Sequence, residues 1–206
     1  MKERPILFSA PMVRAILEGR KTVTRRVVKG MPQSPLDDGA YFDAYAGGPF
    51  WNWWLPDNRC MLPQIKCPYG QPGDRLWVKE TWAAPPYLDD TKPRDMPDDA
   101  RIYYVADGEL GLANCNKHRP CLFMQKRFSR ITLEIAEVRV ERLQDITTND
   151  IRAEGVDDRR TNPKMGKRHD ASMRMAWEQL WFSINGPDSW KANPWVWVIQ
   201  SRRIDQ

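Results

Sequence analysis

The sequence predicts an α+β fold, a small mixed β-barrel with flanking helices and long loop insertions. Three observations predict it. Strand-like runs outnumber helix-like runs and do not alternate with them in a βαβ rhythm. The longest strand run, residues 129–143, changes parity partway, as the bent strand of a barrel does. No glycine-rich phosphate loop or dinucleotide fingerprint marks a doubly wound sheet. At 206 residues the chain is long enough to bury a core. It is read as one domain over residues 1–206, with insertions near 30–72, 83–127 and 157–170.

Taken in order, residues 6–9 read as a short strand. Pro11 suits a first helical position, Val13, Ile16 and Leu17 share a helical face, and Gly19 ends that helix. Lys21 then falls in the turn leaving the helix. Residues 23–29 are β-branched and basic, a strand with Thr24 near its start. Residues 30–72 hold Pro, Gly, Asp and clustered aromatics, and read as a long loop able to wall a pocket. From 75 to 82 the alternation is clean: Leu76, Val78, Glu80 and Trp82 on one face, Trp77, Lys79 and Thr81 on the other. Glu80 thus lies on an apolar face and needs a partner, either a structural cation or a bound ligand.

Residues 83–100, with four prolines and five aspartates, read as an acidic loop, 101–106 as a strand, and 107–126 as irregular. In the long strand run Ile131, Leu133 and Ile135 share one parity and Ala136, Val138 and Val140 the other, which predicts a bulge. Thr147 and Asp150 resemble a capping box and Gly155 a stop, giving a short helix with Glu154 in its last turn. There the helix dipole disfavours a carboxylate's charge, which suits a proton donor. Residues 156–170 form a basic loop. Residues 171–184 are the clearest helix, with Met173, Ala176, Trp177, Leu180, Trp181 and Ile184 as a core stripe. Residues 195–200 are a closing aromatic and β-branched strand.

The formal charge of +5 is unevenly spread. Residues 1–30 carry eight Lys/Arg against two Glu, while 117–130 and 159–168 each carry five cations and no acid. Such clusters suit a nucleotide or polyanion partner, the alternative being solvated faces. Ten tryptophans supply rings that either stack on bases or fill the core, and most are expected in the core. No apolar run reaches membrane-spanning length, and Ser9, Pro11 and Arg14 break the stretch after Lys2 that a signal peptide would need. A cytoplasmic protein with reduced cysteines is expected, with no membrane partner.

Cys60, Cys67, Cys115 and Cys121, with His118, are weighed as a zinc site. Six residues separate the first pair, whereas structural zinc favours about two to four. Reduced structural thiols are the other reading, and no metal or other cofactor is expected. With only His118 and His169, a histidine-based triad is poorly supported.

The densest chemistry lies in residues 17–26, Leu-Glu-Gly-Arg-Lys-Thr-Val-Thr-Arg-Arg. Lys21 stands three positions before Thr24, and a lysine held neutral can take a hydroxyl proton. A basic turn is the alternative. Residues 19–25 resemble the G-x-K-x-x-x-R signature of ASCH domains, a branch of the PUA-like superfamily associated with RNA. The Lys21-to-Thr24 spacing is similar to that of the small 4-N-acetylcytidine amidohydrolases in that group. Residues 73–78, 131–143 and the helix ending at Glu154-Gly155 look like the family's later barrel strands and following helix. The likeness is closest to the longer ASCH proteins of phages and prophages, in residues 67–82 and 183–199, and it leaves out the three insertions.

The resemblance implies a PUA-like barrel and a site in which Lys21 is base, Thr24 nucleophile and Glu154 proton donor, with Arg20, Arg25, Arg26, Glu80 and Trp82 contacting substrate. Glu80 stands where the compact members carry a basic residue, a departure that bears on ligand choice. Lys21 follows a helix C-terminus, which favours its charge, so desolvation or Arg20, Arg25 and Arg26 must lower its pKa. The expected function is binding of a nucleoside, nucleotide or RNA, in its sharpest form cleavage of 4-N-acetylcytidine to cytidine and acetate. A non-catalytic RNA-binding module and a metal-independent ribonuclease remain the alternatives.

Overall fold

The computed structural model describes residues 1–29, 41–44, 50–54, 60–108, 115–156 and 167–204. Its principal sheet has five strands: β1 (Glu3–Leu7), β2 (Val23–Val27), β6 (Arg75–Lys79), β10 (Thr132–Arg142) and β11 (Trp195–Ile204), in the order β1-β6-β10-β11-β2. β1 runs parallel to β6 and the other pairings are antiparallel. Among the described residues three α-helices accompany it: α1 (Ala10–Leu17), α2 (Thr148–Ala153) and α3 (Lys167–Asn185).

β11 shows why the sheet is buried on both sides. Trp195, Trp197 and Ile199 join a core with Ile6, Val13, Ile16, Leu76, Val78 and Leu133 on the α1 side. The intervening Val196 and Val198 join a second core with Ile151, Met173, Trp177 and Trp181 from α2 and α3. The period of two assigns successive side chains to opposite layers, so five consecutive residues are buried.

The fold is mixed α+β as expected, but the principal sheet does not close into a barrel. β1 and β2 are its edges, and Pro5, lacking an N–H, suits an edge strand. What joins those edges is a side chain: Arg26 Nη2 donates to the Leu7 carbonyl at 2.6 Å. A cleft remains between them.

The expected bulge is present, as a register shift between Ile135 and Glu137 where β10 pairs with β11. The reading of residues 30–72 as a loop is corrected. Within it β3 (Tyr41–Ala44), β4 (Phe50–Trp54) and β5 (Cys60–Lys66) form an antiparallel sheet in the order β3-β4-β5. Aromatic residues favour a pleated surface, and Pro63 is tolerated because β5 is an edge. Residues 30–40, 45–49 and 55–59 of that stretch lie outside the described residues.

Residues 83–127 also hold structure. β7 (Trp82–Ala83) lies between β8 (Tyr103–Tyr104) and β9 (His118–Arg119), over a third core of Trp82, Ala84, Leu88, Met96, Met124 and Phe128. Residues 109–114, and residues 157–166 of the basic loop, lie outside the described residues. α3 begins at Lys167, before the expected start at 171.

Candidate functional site

α1 ends as the sequence predicts. Gly19 takes φ +73, and the amides of both Arg20 and Lys21 bond to the Ala15 carbonyl, turning the chain toward β2. α2 starts at a true capping box, Thr147 and Asp150 bonding reciprocally, and ends at Gly155 with φ +86. The two ends then meet: Lys21 and Glu154 form an isolated antiparallel bridge, and the Thr22 amide bonds to the Ala153 carbonyl at 2.8 Å. Gly155 permits this approach. A Cβ there would lie 2.8 Å from the Ala15 Cβ and 3.0 Å from the Lys21 Cβ.

Lys21 and Glu154 are both 2% exposed at the side chain, and Lys21 Nζ donates to Glu154 Oε2 at 2.6 Å. Nζ also donates to the Val23 carbonyl at 2.8 Å and the Glu154 carbonyl at 3.0 Å, so all three ammonium hydrogens are placed. Burial holds the Lys21 pKa below the ordinary lysine value, outweighing Glu154, which pulls it up; Arg26 and Arg25 add smaller downward effects. Desolvation is therefore what depresses it. Arg20 has no part in this, because it donates to Glu18 at 2.7 Å and to the Gly155 carbonyl at 2.9 Å.

The second Glu154 oxygen accepts from Arg25 Nη1 at 3.4 Å, so the carboxylate does not stand alone at its helix end. The Arg25 guanidinium is fully buried and also meets Glu141 at 3.1 Å and Asp150 at 3.3 Å. Arg139 bonds the same two carboxylates from outside. Arg25 is thus committed to protein carboxylates, which hold it against Glu154.

Beside this network, in the cleft between β1 and β2, lies a cavity of about 470 Å3. Its polar wall includes Thr24, Glu154, Arg25, Arg26 and Lys29; its apolar wall includes Phe8, Met12, Tyr69, Trp177 and Trp181. Thr24 is buried opposite Ile199, and among the described residues its hydroxyl has no hydrogen-bond partner. Lys21 does not line the cavity, but its Nζ contacts two residues that do, bonding Glu154 at 2.6 Å and lying 5.6 Å from the Phe8 ring centroid. Lys21 and Glu154 are in direct contact, while Thr24 shares a cavity wall with Glu154 and no hydrogen bond with Lys21.

Glu80 is elsewhere. It is buried, and Arg130 grips both its oxygens at 2.9 and 3.1 Å while stacking 3.9 Å from the Tyr104 ring centroid and bonding Asp107. Burial raises the Glu80 pKa despite Arg130. The structural-cation reading of Glu80 is the one the geometry fits. Trp82 is fully enclosed in the third core, 5.4 Å from the Phe128 ring, and offers no face to a ligand. Neither residue lines the cavity. Sequence reasoning missed Tyr69, and it read Trp177 and Trp181 as core alone although both also wall the cavity.

Cys67 is packed in the core, where burial raises its thiol pKa. Cys115 and Cys121 are free thiols, and the Cys60 side chain lies outside the described residues. Among the described residues no cluster of three His, Cys, Asp or Glu side chains could hold a metal ion. No helix among them is long and apolar enough to cross a membrane. No protein-family model, no curated protein and no solved structure matches the chain.

Proposed function

We propose that the protein is an ASCH-type member of the PUA-like superfamily that binds a nucleoside in the cavity between β1 and β2 and cleaves the amide of 4-N-acetylcytidine. One observation carries the reading: a threonine hydroxyl without a hydrogen-bond partner among the described residues shares a cavity wall with a carboxylate held by a buried lysine of lowered pKa. The cavity volume falls in the small-ligand range, and its mix of aromatic wall and few polar groups suits a base.

In this reading Thr24 Oγ1 attacks the acetyl carbonyl, and its proton passes to the Lys21–Glu154 pair. Glu154 is the member of that pair facing the cavity, so it returns the proton to the 4-amino nitrogen as the C–N bond breaks and cytidine leaves. Water then hydrolyses the acetyl-Thr24 ester to acetate and restores the hydroxyl. Lys21 acts through Glu154, its ammonium fixing the position of the carboxylate, on which the proton rests until it is returned. The resemblance makes Lys21 the base; because Glu154 lines the cavity and Lys21 does not, this reading gives that exchange to the pair.

The test is chromatography of cytidine released from 4-N-acetylcytidine by the wild type, Thr24→Ala and Glu154→Gln. Turnover in the wild type, lost in both folded variants, supports the assignment. Absence of turnover in the folded wild type removes the amide as substrate.

A further inference from the structure

Among the described residues the charges around the cavity do not balance. Glu154, Glu141 and Asp150 are compensated by Lys21, Arg25 and Arg139 in one network. Among the described residues, Arg26 and Lys29 are left without a carboxylate partner. The described partners of the Arg26 guanidinium are neutral, the Leu7 carbonyl at 2.6 Å and the Phe8 ring at 5.5 Å, and its Nε has no partner among the described residues. Lys29 is exposed, lines the cavity, and has no ion pair or hydrogen bond to any described residue.

We infer that the cavity accepts a phosphorylated nucleoside, a 5′-mononucleotide, with its phosphate between Arg26 and Lys29; this rests on the nucleoside reading above. The placement follows from strand geometry. Thr24 and Arg26 are two positions apart on β2 and share a face, which separates them by about 6.5 Å along the strand. Lys29 lies three positions beyond Arg26, in the turn that follows the strand's end at Val27, and also lines the cavity. The hydroxyl and the surplus positive charge therefore both border the cavity and are separated along β2. A mononucleotide has that polarity, with the modified 4-amino group on the base and the phosphate at the far side of the sugar. Arginine offers a planar fork of donors to phosphate oxygens, and lysine a point charge.

The experiment is calorimetric titration of the wild type, Arg26→Gln and Lys29→Gln with three ligands: cytidine, cytidine 5′-monophosphate and a short oligocytidylate. Cytidine 5′-monophosphate is expected to bind the wild type at least about ten-fold more tightly than cytidine, an advantage that shrinks with added salt. Each substitution should remove most of that advantage. Lys29 is exposed, so its variant keeps the test valid if Arg26→Gln misfolds. Equal binding of cytidine and its monophosphate, or an advantage that survives Lys29→Gln, overturns the phosphate site and leaves the nucleoside reading standing. Binding of none of the three ligands overturns the nucleoside reading itself and the phosphate site with it. An oligocytidylate that binds more tightly than the monophosphate overturns the mononucleotide assignment.

Discussion

Replacing Lys21 by methionine removes the charge from the buried pair while keeping most of the side-chain volume, so the cavity term is small. The loss can be worked from its contacts. The Val23 and Glu154 carbonyls lose a buried donor each, and Glu154 Oε2 loses its 2.6 Å partner, leaving the carboxylate with Arg25 at 3.4 Å. Removing one member of a buried ion pair costs about 3–5 kcal/mol. We expect a loss in that range from the urea midpoint, at unchanged slope. Glu154→Gln in the same background removes the uncompensated charge, so the double variant should be less destabilised than the sum of the singles by about 2 kcal/mol. A Lys21→Met loss under about 1 kcal/mol, or additive singles, would refute the view that the two groups act as one buried unit.

Three further outcomes follow from the same geometry. Because burial puts the folded Lys21 pKa below its ordinary value of 10.5, the unfolded chain binds more protons between those two values. Wild-type stability should therefore rise with pH toward about 10.5 relative to Lys21→Met, and a flat difference would contradict the lowered value. Gly155→Ala forces a Cβ against Ala15 and Lys21 at a positive φ, and should cost about 1–3 kcal/mol in thermal unfolding while impairing any Lys21-dependent turnover. Glu80 has a raised pKa, so its contribution is full below the ordinary 4.5 and is lost as pH rises through the folded value. Glu80→Gln should remove that part of the pH dependence of the urea midpoint, and an unchanged profile would count against it.

The local features of the site were legible in the sequence because they depend on near neighbours. Gly19 as a helix stop, the Thr147–Asp150 capping box, the alternation through Glu80 and the bulge near Ala136 each follow from spacing alone. The partners were not legible. Glu154 reaches Lys21 across 133 positions and Arg130 reaches Glu80 across 50, and only tertiary packing selects them. The helix-end position of Glu154 suggested a proton donor, but its pairing with Lys21 and Thr24 in one site followed only from the resemblance. Trp177 and Trp181 show a related limit: helical spacing marks the buried face but not that the same face borders a cavity. In residues 41–66, dense Pro and Gly hid strands whose pairing makes a sheet of their own.

The most direct measurement of the proposed chemistry is the mass of the peptide containing Thr24 after a short reaction with 4-N-acetylcytidine stopped in acid. The account predicts an acetyl group on Thr24 in the wild type, absent in Thr24→Ala and diminished in Lys21→Met. Cytidine released at the wild-type rate by folded Thr24→Ala, with no acetylated peptide in either protein, would contradict it.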